Sequence, residues 1–250
     1  MKRTLGALLL TFGFLTSVGA LDEKRMAGLE AELAVLMQTD DPTALQALDA
    51  QMTSQLGPAI APLAWVKAGI VSHNLSRTVG NEAHRGNAAR AVDRLKTAAR
   101  GSDSELAAVA LPYLGSATSL QATEDSNPVS KLLFVNQGWS ILGEAVDKYG
   151  EGSFLPRMIR VRVGSSLPDF FGKNDEVLKD LTALDAWDKV HPGRMPDAVK
   201  AQMALIRGNT YKKQKDLNRA VEAWTRAAAL DPQKIGAGKE ASAALDRYGN

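Results

Sequence analysis

Three histidines, His73, His84 and His191, are the first residues to test for metal or acid–base chemistry. They lie far apart, with no HxxxH or HExxH that would set two imidazoles on one helix face, so a zinc site has no local support. Each is read as a surface or loop histidine. The chain has no cysteine, which removes thiolate ligands, thiol nucleophiles and disulfides together. Gly236-Ala237-Gly238-Lys239-Glu240 has the look of a phosphate loop. It lacks the first glycine at the required spacing, the following Ser or Thr and a preceding strand. No GxSxG occurs. Asp169 and Asp175 flank Phe170-Phe171 in SSLPDFFGKND, where a capped helix start after a turn is expected, with the two aromatics buried. Arg157, Arg160 and Arg162 are interleaved with Met158, Ile159, Val161 and Val163. Arginines that interrupt an apolar helix either pair with buried carboxylates or line a groove. Glu176 and Asp180 on the next helix are the candidate partners, and a groove is the alternative. No residue is assigned as catalytic, none as a metal ligand, and no cofactor is implied.

The elements that must carry these residues are helical throughout. Met26, Leu29, Leu33 and Leu36 recur at helical spacing, as do Leu45, Leu48, Met52 and Leu56 after the cap and N1 proline of Asp40-Asp41-Pro42. A third helix runs to about His73, and Asn74 to Gly86 is read as a polar loop. Asn87 caps the next helix. Ser102-Asp103-Ser104-Glu105 reads as a capping box for a helix to about Leu120, which Pro112 should kink or break. Further helices are expected over Pro128–Tyr149, Ser153–Ser166, Asp175–Trp187, Asp197–Lys213, Leu217–Leu230 and Glu240–Tyr248. MIRVRV, from Met158 to Val163, alternates like a strand but has nothing to pair with, so it is read as helix. About eleven helices with short connections predict an all-α domain over residues 21–250.

The first residues have the three parts of a secretory signal: basic Lys2-Arg3, apolar Leu5 to Leu15, and small residues ending at Ala20. The apolar run is far shorter than the about 20 residues that span a bilayer. Cleavage after Ala20 and a periplasmic or secreted location are expected, with no membrane span thereafter. Of the 30 basic residues two belong to this leader, which leaves 28 against 28 acidic ones. A formally neutral chain has no nucleic-acid footprint.

One segment carries a family signature. Ala201 to Lys234 reads AQMALIRGNTYKKQKDLNRAVEAWTRAAALDPQK, 34 residues. Gly208 and Tyr211 stand on its first helix. Ala220, Trp224 and Ala227 share a face of its second, and Pro232 closes the unit. It resembles a tetratricopeptide repeat. The small Gly208 and Ala220 let two helices approach at their crossing, and Tyr211 and Trp224 fill the space beside it. Gly69, Gly115 and Gly164 precede Gly208 at separations of 46, 49 and 44 residues, each on a predicted first helix. These would be degenerate earlier units, and the helix of residues 240–248 would cap the array. The resemblance implies an α/α superhelical array whose first helices line a concave groove. It places Gln202, Leu205, Asn209 and Lys212 on that groove, and Arg160 is a further candidate. Asn209 matches an asparagine with which peptide-binding members hold a backbone or terminal carboxylate. Leu205 stands where carboxylate-clamp members have lysine.

The function expected is therefore an exported, non-enzymatic scaffold that holds a protein or peptide partner of the cell envelope. The alternative is a small-solute-binding or transporter-associated helical-repeat protein, which a closed pocket near Arg157 to Phe171 would favour. An α/α glycan-cleaving enzyme is the third reading, and the aromatic content of 6% speaks against it.

Overall fold

The protein is represented by a computed structural model that describes residues 21–57, 59–78 and 85–249. The leader 1–20, Pro58 and His84 lie outside the described residues. Among the described residues there are eleven α-helices, one 3-10 turn and no strand. The helices are α1 (Glu23–Gln38), α2 (Pro42–Gln55), α3 (Pro62–Thr78), α4 (Asn87–Gly101), α5 (Ser104–Glu124) and α6 (Pro128–Tyr149). They continue as α7 (Leu155–Ser166), α8 (Asn174–Val190), α9 (Asp197–Lys213), α10 (Leu217–Leu230) and α11 (Ala237–Tyr248).

Short polar side chains start many of them. The carboxylates of Asp22, Asp41, Asp103 and Asp216 and the amide oxygen of Asn127 each accept a first-turn backbone N–H. Such caps satisfy donors that have no partner inside the helix. Four local expectations need correction. Helix α5 runs unbroken through Pro112, because the packing of its neighbours outweighs the lost backbone bond. Glu105 does not close a capping box; it accepts the backbone N–H of Asp22 at 2.9 Å and so ties α1 to α5. Asn87 is the first residue of α4 rather than its cap, which is Gly86 in the left-handed region at φ 95°. Residues 74–78 belong to α3 rather than to a loop.

Sequential helices pack as pairs: α3 with α4, α5 with α6, α7 with α8, and α9 with α10. Odd-numbered helices also touch one another in order, α3 to α5, α5 to α7, α7 to α9 and α9 to α11. This arrangement is consistent with a helical repeat array. The glycine series explains how the pairs close. A Cβ added at Gly69 would lie 2.6 Å from Leu95 Cγ, and at Gly115 2.8 Å from Leu142 Cγ. At Gly164 it would lie 2.7 Å from Val177 Cγ2, and at Gly208 2.5 Å from the Trp224 ring. In each pair the first helix spends its one side-chain-free position on a residue of the second. The tighter approach lets a large apolar side chain fill the crossing at the density of a protein interior.

Helix α1 departs from this scheme. It packs on α3 and α5. Asn74 of α3 donates to the carbonyls of Leu36 and Thr39 at its C-terminal end. Midway along it, Glu30 accepts from Ser153 before α7 at 2.8 Å and from Arg194 before α9 at 2.9 Å. Helix α1 is thereby bound to four sequence-distant parts of the chain.

Candidate functional site

Because α1 lies against the odd-numbered helices, it and they line a cavity of about 1190 Å³ that is partly open to solvent. Every odd-numbered helix contributes to its wall: Ala34 from α1, Arg77 from α3, Tyr113 from α5, Met158 from α7, Leu205 from α9 and Glu240 from α11. The volume is somewhat above the about 300–1,000 Å³ usual for small-molecule sites. Most of the wall is apolar, with Phe154, Leu155, Ile159 and Val199 completing it.

A polar cluster interrupts that wall where α3, α5, α7 and α9 converge. Arg162, in the middle of α7, is partly buried. With the Gln202 amide turned to satisfy both groups, its oxygen accepts from Arg162 Nε and Nη2 at 3.2 Å each. No carboxylate among the described residues pairs with Arg162 or with the exposed Arg77. Burial pushes the Arg162 guanidinium below its ordinary pKa, the charge of Arg77 lowers it further, and Tyr113 acts in the opposite sense. A desolvated cation without a counter-charge is unfavourable. Tyr113 is 3% exposed, and its hydroxyl makes no hydrogen bond among the described residues.

Beneath Tyr113 lies His73, 3% exposed, its ring edge-on to the tyrosine at 5.1 Å. Its expected surface position is thus corrected. The Asn74 amide nitrogen donates elsewhere, so Asn74 Oδ1 accepts from His73 Nδ1 at 3.0 Å. That leaves His73 Nε2 to accept from the Ser116 hydroxyl at 2.8 Å. Burial, with the nearby Arg77 charge, pushes the imidazole down to about 3, so it is a neutral strut. His191 stacks on Trp187 at 4.2 Å.

The residues singled out from the sequence fall in three places. Gln202 and Leu205 line the cavity. Asn209 and Lys212, though on the same helix, lie outside it: Asn209 Oδ1 accepts from the Trp224 indole N–H at 3.0 Å, and Lys212 sits 4.4 Å over the Tyr248 ring. Because Trp224 is fully buried, Asn209→Ala strands its indole N–H. The variant is expected to lose about 1–2 kcal/mol of stability in a denaturant titration. Arg160 is turned to the other side of α7, where its Nε and Nη2 each donate at 2.7 Å to Asp180, which is 3% exposed. Of the two roles open to this arginine, the ion pair is the one formed, and Arg160 is corrected from groove residue to structural partner. Arg157 donates to the Gly150 carbonyl. Of the α7 arginines, Arg162 alone lines the cavity. The repeat positions Ala220, Trp224 and Ala227 form one core cluster, with Tyr211 packed against it. Pro232 follows α10 in an exposed turn.

Phe170 and Phe171 are not buried as expected. They stack on each other at 4.5 Å in the 3-10 turn, with Phe170 76% exposed. Asp169 is 3.5 Å from Lys213, and Asp175 accepts from Gln214 at 2.8 Å, so both acids fasten the end of α9. Sequence reasoning missed Arg77 and Tyr113. The polar surroundings of Arg77 read as a loop in the sequence, and a single tyrosine in an apolar helix carries no signal of where its hydroxyl opens. No helix among the described residues is long and apolar enough to cross a membrane.

Compared with protein-family models, curated proteins and solved structures, the chain matches none.

Proposed function

We propose that the protein is an exported, non-enzymatic binding protein that takes a small, largely apolar solute into the cavity between α1 and the odd-numbered helices. The observation that carries this reading is the cavity itself, a deep cleft to which α1 adds a wall beyond those of the first helices of the pairs. Arg77, Tyr113, Arg162 and Gln202 form one polar cluster in a mostly apolar wall, as in sites that orient a ligand. The array is read as a set of degenerate tetratricopeptide-type pairs, with residues 201–234 the most regular unit and α11 its cap. The leader supports a periplasmic or secreted setting, in which such a protein would hold a solute for a transporter or another envelope component. The peptide-groove reading is weaker, because Asn209 and Lys212 are engaged with Trp224 and Tyr248.

The test is uptake of a neutral, environment-sensitive dye such as Nile red. The protein is expected to bind it with about 1:1 stoichiometry. Ala34→Trp, which puts a ring into the cavity from a half-buried position on α1, should abolish uptake while leaving the melting temperature within a few degrees of the parent. Equal uptake by the parent and Ala34→Trp would remove the cavity as the binding site.

A further inference from the structure

Four of the cavity's polar groups, each on a different helix, are arranged for a ligand of one charge type. Arg162 on α7 is held in place by a neutral partner: Gln202 on α9 accepts from its Nε and Nη2 at 3.2 Å. That contact fixes the plane of the guanidinium without cancelling its charge, and the remaining nitrogen, Nη1, has no partner among the described residues. Arg77 approaches from the last turn of α3, also without a carboxylate partner among the described residues. Two cations that raise each other's energy, beside an unused tyrosine hydroxyl, are a costly arrangement for stability alone. Elsewhere among the described residues the most buried arginines are matched by carboxylates, Arg94 with Asp49, Arg160 with Asp180 and Arg194 with Glu30, whereas Arg157 meets only the Gly150 carbonyl.

The other charges of the cavity select among anions. Asp40, Asp231 and Glu240 line it as well. None of the three forms an ion pair with Arg162 or Arg77 among the described residues, and their charge disfavours an anion that carries a second one. The walls between are Phe154, Leu155, Met158, Ile159, Val199 and Leu205, which suit a hydrocarbon body.

We propose that Arg162 and Arg77, flanked by Tyr113 and Gln202, form a subsite for the single carboxylate of an otherwise apolar solute. A carboxylate accepts two parallel N–H bonds from a guanidinium fork, and the tyrosine hydroxyl supplies a third donor. This inference rests on the reading of the cavity as a solute site, and the experiment separates the two.

Calorimetric titrations of the purified protein with octanoate, octanamide and inorganic phosphate compare charge at constant chain length. Octanoate is expected to bind about tenfold or more tightly than octanamide, the scale of a charge-assisted hydrogen bond. Arg162→Gln should remove most of that difference by weakening octanoate far more than octanamide, whose neutral carbonyl gains less from the guanidinium. Arg162→Lys should restore part of it, and Arg77→Gln should have the smaller effect because Arg77 is exposed. The melting temperature of ligand-free Arg162→Gln should be equal to or above the parent's, whereas loss of a structural ion pair would lower it. Equal affinity for octanoate and octanamide overturns the subsite, and so does displacement of octanoate by phosphate at comparable concentration. If Nile red still enters in either case, the cavity reading survives without the subsite. If neither Nile red nor octanoate binds, both fall.

Discussion

Replacing Asp49 by alanine is expected to lower the unfolding free energy by about 3–5 kcal/mol, the cost of breaking a buried ion pair from one side. Asp49, on α2, is 7% exposed and Arg94, on α4, 4%. The carboxylate accepts from Arg94, from the Ser72 hydroxyl of α3 at 3.0 Å, and from Arg90 at 2.7 Å. Arg94 also donates to the Ala68 carbonyl at 3.1 Å, to Ser72 at 2.6 Å and to Thr53 of α2. Three helices thus meet on one charge pair. Without Asp49 the Arg94 guanidinium stays buried on neutral oxygens that cannot offset its charge. Arg90 contributes less, because its side chain is 46% exposed and screened by water. Urea titration of Asp49→Ala beside Arg90→Ala measures the difference. A loss of under about 1 kcal/mol for Asp49→Ala, the size of an exposed pair, would mean that the network does not hold α2, α3 and α4 together.

Gly208→Leu is expected to lower stability by about 3 kcal/mol or more, at or beyond the upper end of overpacking effects. Even a Cβ at this position would lie 2.5 Å from two ring atoms of Trp224 and 3.0 Å from the Ala220 carbonyl oxygen. Trp224 cannot yield, because it is fully buried among Ala220, Ala227, Ala241 and their neighbours. The whole of α10 has to move from α9, and α11, which packs on both, moves with it. The same substitution at Gly28, which a Cβ could join without meeting anything within 4 Å, is the control and should be near neutral. Equal melting temperatures for the two variants would contradict the crossing at Gly208. A protein whose C-terminal three helices melted separately would show Gly208→Leu shifting one transition and leaving the other in place.

Arg160 and Arg162 show why the site was only half legible. Two residues apart on a helix, they point in different directions. One meets Asp180 and the other opens on the cavity. The sequence records both as arginines within an apolar stretch and ranks neither, since the partner that distinguishes them lies on another helix. Gln202 and Leu205, which the resemblance puts on a groove, line the cavity from α9. Asn209 and Lys212 share their stripe, yet the neighbours of that stripe change along its length, from α7 at one end to α10 and α11 at the other.

The sequence by itself determined the all-helical class, the boundaries of α9 and α10, and the four glycines at which helix pairs cross. These follow from periodicity, capping and side-chain size, which act over a few residues. It also determined that thiol and disulfide chemistry are excluded, since that is composition. Only the tertiary structure decided that α1 packs on α3 and α5, because its contacts with Asn74, Glu105, Ser153 and Arg194 join positions 35 to 164 residues apart. Only there do Arg77, Tyr113, Arg162 and Gln202 meet. Each comes from a different helix at a position that local pattern marks as ordinary, and their juxtaposition depends on how far each helix is rotated and displaced in the packed array.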